Sequence, residues 1–223
     1  SWLLPLFKSG LSRTLLPTDL YQVCEQDESS RLGDALESEW KKQEGEQKTP
    51  NLLRCFINLF WKQYALITLL CLMTECVFKI SQPVFLYYLI QFLNEGDDST
   101  AWIGYSSAAG LVLATLLCVS SYHLENFLAY RLGMQIRIAT CSFIYRKVLY
   151  QLKIGDATPG QLVNMMSNDV NKLEQVPVFV RYLLVATLQI ILTTAMLWFY
   201  IGPPCLIASL VFALMIPVQV WFG

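Results

Sequence analysis

Charge is missing from long blocks of this chain. Residues 80–130 contain no lysine or arginine, and residues 182–223 contain no charged residue of any kind. An uncharged helical stretch of about 20 residues spans the roughly 30 Å hydrocarbon core of a bilayer, and no soluble globule needs several in a row. Composition agrees, with 55% of the 223 residues hydrophobic and 15% charged where an average soluble domain has about 25% charged.

Four spans are expected. The first covers residues 64–93 and is interrupted by Glu75, Lys79 and Pro83; the second covers 102–122; the third ends a helix running from 161 to 201; the fourth covers 203–223. Their connections carry opposite charge. The turn at 94–100, NEGDDST, is acidic, whereas the link between the second and third spans holds Arg131, Arg137, Arg146, Lys147, Lys153, Lys172 and Arg181. Basic loops mark the cytoplasmic side, so this link and the amino terminus are expected inside.

The basic link is not a loop. No proline occurs from 101 to 158, and Met134, Ile138, Cys141, Tyr145, Val148 and Leu152 recur at helical spacing, the pattern of a packed helix seam. Span two is therefore expected to continue to 152. Thr158, Pro159 and Gln161 then form a capping box that opens the next helix, with Leu162, Met166, Val170, Leu173 and Val176 as its stripe. Two long helices descend beyond the membrane and turn near 155–161.

Residues 1–50 hold nine acids and six bases and read as a cytosolic segment with one helix near 33–43. Thr49 and Pro50 read as an N-cap and first helical residue for an amphipathic helix at 51–62, where Leu53, Phe56, Ile57, Phe60 and Trp61 share one side. It suits a helix lying in the membrane interface; the alternative is an ordinary helix on a soluble core. The chain starts at Ser1 and stops at Gly223 just after an apolar run, and a longer parent is expected.

Several chemistries find no support. A net charge of −1 without a basic face gives no reason to expect nucleic acid. Seven cysteines are scattered without metal-ligand spacing and read as buried thiols. One histidine, His123, gives no metal or acid–base cluster, and no GxxxxGK phosphate cradle occurs. No catalytic residue, metal site or cofactor is expected in this chain.

Glu75 and Lys79 lie four apart inside the first span. A charge at membrane depth costs about 2.5–3.5 kcal/mol on insertion scales and usually faces a cavity or a partner. Two readings follow: Lys79 lines a cavity and attracts an anionic group while Glu75 tunes it, or the two form an ion pair that only makes insertion tolerable.

YRKVL at 145–149 and TPGQLVNMMSNDVNKLEQV at 158–176 resemble the first intracellular loop of subfamily C ATP-binding cassette (ABC) transporters. PLFKSG at 5–10 resembles their lasso segment, and the order lasso, elbow helix and a first span with Glu75, Lys79, Gln82 and Pro83 is also similar. Pro159, Gln135 and Pro177 depart from the common pattern. The resemblance implies an all-α, polytopic, partial ABC exporter type-1 transmembrane domain at 63–223, preceded by the lasso (1–50) and elbow (51–62). It implies a parent with two nucleotide-binding domains that use ATP and Mg to export amphipathic organic anions, in the plasma membrane. Asp156, Thr158, Pro159, Gly160 and Gln161 would then belong to a coupling helix on a nucleotide-binding domain, and Phe85, Gln189 and Trp198 would join Glu75 and Lys79 along the substrate path. The same resemblance leaves open a chloride channel or a channel-regulating subunit.

Overall fold

The computed structural model describes residues 3–19, 21–46, 50–95, 101–150 and 159–222, and every element in them is helical. In order they are α1 (Leu4–Ser12), α2 (Ser29–Glu46), α3 (Leu52–Leu72), α4 (Lys79–Glu95), α5 (Ala101–Tyr150), α6 (Pro159–Asn164), α7 (Val170–Ile201) and α8 (Pro204–Phe222). Two short 3₁₀ turns precede α2, and π turns at Met73–Phe78 and Met165–Asp169 join α3 to α4 and α6 to α7. Three helical runs, Leu52–Asn94, Ala101–Tyr150 and Gly160–Tyr200, are long and apolar enough to cross a membrane. The 19-residue α8 carries no charge.

Contacts group the chain into two compact units, one made of residues 1–59 and 137–162, the other of 60–136 and 163–223. In the first, α2 lies along the end of α5. Gly33 allows the approach: a Cβ there would sit 2.3 Å from Ser142 Oγ. Leu32 and Leu36 are buried beside it, Trp40 stacks on Phe143 at 5.3 Å, and Lys147 lies over both rings. Arg146 ties the pair together, donating to Asp34, to Glu37 at 3.3 Å and to the Ser30 carbonyl at 3.3 Å. The start of α3 differs from expectation. Pro50 precedes the helix and Asn51 caps it, its Oδ1 accepting from Leu53 N–H at 2.9 Å while its own N–H donates to Gln43 Oε1. A side-chain acceptor two residues ahead of a free N–H satisfies one of the orphan donors of a first turn, which Pro50 cannot do. No helix break marks residue 63, since α3 runs through it.

In the second unit, α5 and α7 form an antiparallel hairpin. Its closest point is Gly133, where a Cβ would fall 2.0 Å from the Glu174 carbonyl oxygen. Only glycine admits backbone against backbone at that distance. Gly133 and Asn126 are seven residues apart on α5, as are Glu174 and Arg181 on α7, and Arg181 meets Asn126. The two helices thus keep one register over about two turns. Farther along α5, Phe92 and Phe85 of α4 fill the spaces above Gly104 and Gly110. Pro83 and Pro177 lie inside α4 and α7 without ending them. Gly202, at φ +78°, ends α7 and donates its N–H to the Trp198 carbonyl, so the chain reverses into Pro204 at the start of α8.

Gly133→Ala should lower the thermal unfolding midpoint by an amount equivalent to about 1–3 kcal/mol of overpacking, because a carbonyl oxygen cannot rotate aside. Gly160→Ala, with nothing within 4 Å of the added atom, should stay within about 0.5 kcal/mol of wild type. The Glu37 carboxyl is held below its ordinary range by hydrogen bonds from Lys41 and then Arg146. A depressed folded value means the unfolded chain takes up the proton first, so this contribution is complete above pH about 4.5 and is lost as pH falls below it. Emission from Trp40 in a variant lacking the other tryptophans should shift to the red over that interval, and Glu37→Gln should flatten the shift.

Candidate functional site

A cavity of about 300 Å³ in the second unit is lined by Glu75, Lys79, Tyr122, Tyr182, Val185, Ala186 and Gln189. Three of the five substrate-path residues expected from sequence, Glu75, Lys79 and Gln189, therefore share one wall. Phe85 packs against Gly110, and Trp198 is exposed at the far end of α7; neither lines this cavity. Asp156 and Thr158 lie outside the described residues. Pro159 opens α6, and Gly160 and Gln161 are exposed on it.

The position of Lys79 follows from the helix that carries it. The π turn ends where Lys79 N–H donates to the Thr74 carbonyl, five residues back, and such turns recur where a helix presents functional groups. Glu75, inside the turn, is buried, whereas the side chain of Lys79 is 52% exposed and reaches Glu75 Oε2 at 2.7 Å. The ammonium has three donors, and Glu75 occupies one. Tyr122, Tyr182 and Gln189 add hydroxyl and amide groups to the lining of the same cavity.

Behind the wall lies a polar network that the sequence did not reveal. Arg181 is wholly buried, as is Glu125, the sole acid of α5. Arg181 donates one terminal N–H to the Glu125 main-chain carbonyl at 2.9 Å and the other to Asn126 Oδ1 at 3.0 Å. Its guanidinium also lies over the Tyr182 ring at 4.4 Å. The Tyr182 hydroxyl donates weakly to the same Asn126 oxygen at 3.4 Å. The sequence places Arg181 only among the seven bases of the link; in the structure its head group is enclosed between helices. The available signal was a lone acid in a 50-residue helix and a lone base at the edge of an uncharged block.

A second hollow, of about 490 Å³ in the first unit, is lined by Glu37, Lys41, Phe143, Arg146, Lys147 and Tyr150. Its cations are already engaged, Lys41 and Arg146 with carboxylates and Lys147 with aromatic rings, so it offers little to an anionic solute. Among the described residues no cluster of His, Cys, Asp or Glu could hold a metal.

The fold is that of an all-helical membrane unit, and comparison supplies the family. Residues 65–223 match the ABC transporter transmembrane region. The whole chain is 38% identical to the human ATP-binding cassette sub-family C member 4 and 36% identical to the mouse protein of that name, covering 17% of each. It is 30% identical, over 99% of its residues, to the Drosophila melanogaster probable multidrug resistance-associated protein lethal(2)03659, covering 16% of it. The chain belongs to the ABC transporter transmembrane region family and is a multi-pass membrane protein.

Proposed function

We propose that this chain forms part of an ATP-driven exporter that carries amphipathic organic anions or xenobiotics out across the plasma membrane by alternating access, with its amino terminus in the cytosol. The observation that carries the reading is Lys79: an ammonium half-exposed on an internal cavity, in a chain that otherwise keeps basic residues out of residues 80–130. Such a charge is expensive at membrane depth unless a counter-charge repays it. Glu75 supplies one locally, and an anionic substrate supplies another when it enters.

ATP and Mg would be held by nucleotide-binding domains elsewhere in the parent. Residues 155–161 would form the coupling helix that receives their motion. Tyr122 and Tyr182 would pack the apolar body of the substrate while Lys79 holds its charge and Gln189 orients it.

In vesicles carrying the full-length parent, Lys79→Met should weaken apparent affinity for a fluorescent organic anion about tenfold, the loss of one charge-assisted bond, with little change in maximal rate. Unchanged affinity would remove Lys79 from the substrate path. Vanadate-sensitive ATPase activity stimulated by the same anion identifies a pump; anion flux without hydrolysis would identify a pore. Cysteines at Thr158 and on the parent's nucleotide-binding surface should join on oxidation in at least one nucleotide state, and failure in every state would sink the coupling role.

A further inference from the structure

Two pairs of opposite charges within the second unit are arranged differently. Lys79 and Glu75 are closed on each other at 2.7 Å. Glu125 and Arg181 are both completely buried, yet neither carboxylate oxygen of Glu125 accepts a hydrogen bond and the Arg181 Nε–H donates none. The Cys71 thiol lies against the carboxylate, but a thiol is a weak donor. A guanidinium donor and both carboxyl oxygens are thus left unused in one buried network whose members already meet through the Glu125 main chain. Buried groups in that condition are costly, and a site that tolerates them has a reason to.

The reason lies in what Arg181 does instead. It holds Glu125's carbonyl and Asn126's side chain, and Asn126 and the guanidinium together hold Tyr182, which lines the cavity beside Lys79. A second arrangement is available to the same residues. If the guanidinium turns onto the Glu125 carboxylate, two parallel N–H···O bonds form, the stronger geometry for this pair. The bonds to Asn126 and to the main chain are then given up, and Tyr182 loses the guanidinium over its ring while its hydroxyl keeps Asn126 and Tyr122. The Gly133–Glu174 contact, seven residues away along each helix, holds the hairpin register in either case. A tightly packed element with two discrete hydrogen-bonding solutions is bistable and not continuously deformable.

We propose that Arg181 is a two-position latch beside the cavity: on Asn126 it braces the Tyr182 ring against the cavity, and on the Glu125 carboxylate it leaves that ring unbraced, held by its hydroxyl alone. Glu125 and Arg181 are positioning residues, acting on solute through Tyr182. The effect on transport rests on the reading of this cavity as the substrate path; the latch itself does not.

The experiment is a double-mutant cycle in the full-length parent. Thermal unfolding midpoints of wild type, Glu125→Gln, Arg181→Gln and the double variant are measured without nucleotide and after trapping with ATP and vanadate. In one condition the two shifts should add; in the other they should be non-additive by about 3 °C or more, as groups in direct contact are. The same coupling in both conditions would overturn the latch. Uptake of a fluorescent organic anion supplies a second reading. Asn126→Ala should raise KM about fivefold with maximal rate retained, whereas Glu125→Gln should lower maximal rate about fivefold and leave KM within about twofold. Where Lys79→Met has weakened anion affinity and so placed the cavity on the path, an unchanged KM in Asn126→Ala would also overturn the latch, and this arm stands if Glu125→Gln fails to fold. Condition-dependent coupling in a protein that moves no anion would reject the export reading and keep the latch.

Discussion

Much of this structure depends on one close approach, the backbone of α5 at Gly133 against the Glu174 carbonyl of α7. In a bilayer the hydrophobic effect does not press helices together, because lipid tails are as apolar as leucine. Association rests on close packing and on hydrogen bonds between helices. A glycine that lets two backbones touch supplies the first of these and fixes the register that makes the second possible. Arg181 can reach both Glu125 and Asn126 only because residues seven positions away on each helix are already in contact. The wall of the cavity, Tyr122, Tyr182, Val185 and Ala186, continues that register along the same two helices.

The apolar architecture was legible in the sequence because lipid allows little choice. A spanning segment must be helical and nearly free of charge, and a proline-free run with a helical stripe continues the helix beyond the membrane. Pro159 as a first helical residue was legible for a similar reason, since its missing N–H is an orphan there in any case. Local signals that depend on a partner were not legible. Pro50 read as a helix start, but Asn51 captured the cap through an N–H two residues on. Gly133 looks like Gly104 or Gly110 in sequence, and only what approaches it distinguishes them. The candidate site was partly legible: Glu75, Lys79 and Gln189 converge on one cavity, whereas Phe85 and Trp198, which the resemblance places on the path, do not line it, because a resemblance carries no helix rotation. The burial of Arg181 was not legible, because its partners lie 55 and 56 positions away.

Three groups of charge in this chain differ in the kind of event each can register. Arg146 bridges α2 and α5 with its carboxylate partners in contact with water, where exchange of a salt bridge for hydration is nearly neutral; it orders a surface and little more. Glu75 and Lys79 lie four residues apart in consecutive turns, so their distance hardly responds when one helix moves against another. That makes the pair a stable local means of carrying a cation at depth, and it leaves Lys79 free to respond to what enters the cavity. Arg181 differs from both, because its bonds cross from α7 to α5 and no water competes for them. A transporter that alternates between conformations must have contacts that change when helices shift and others that do not. In the proposed exporter the intrahelical pair would meet solute and stay constant, and the interhelical one would change as the helices shift.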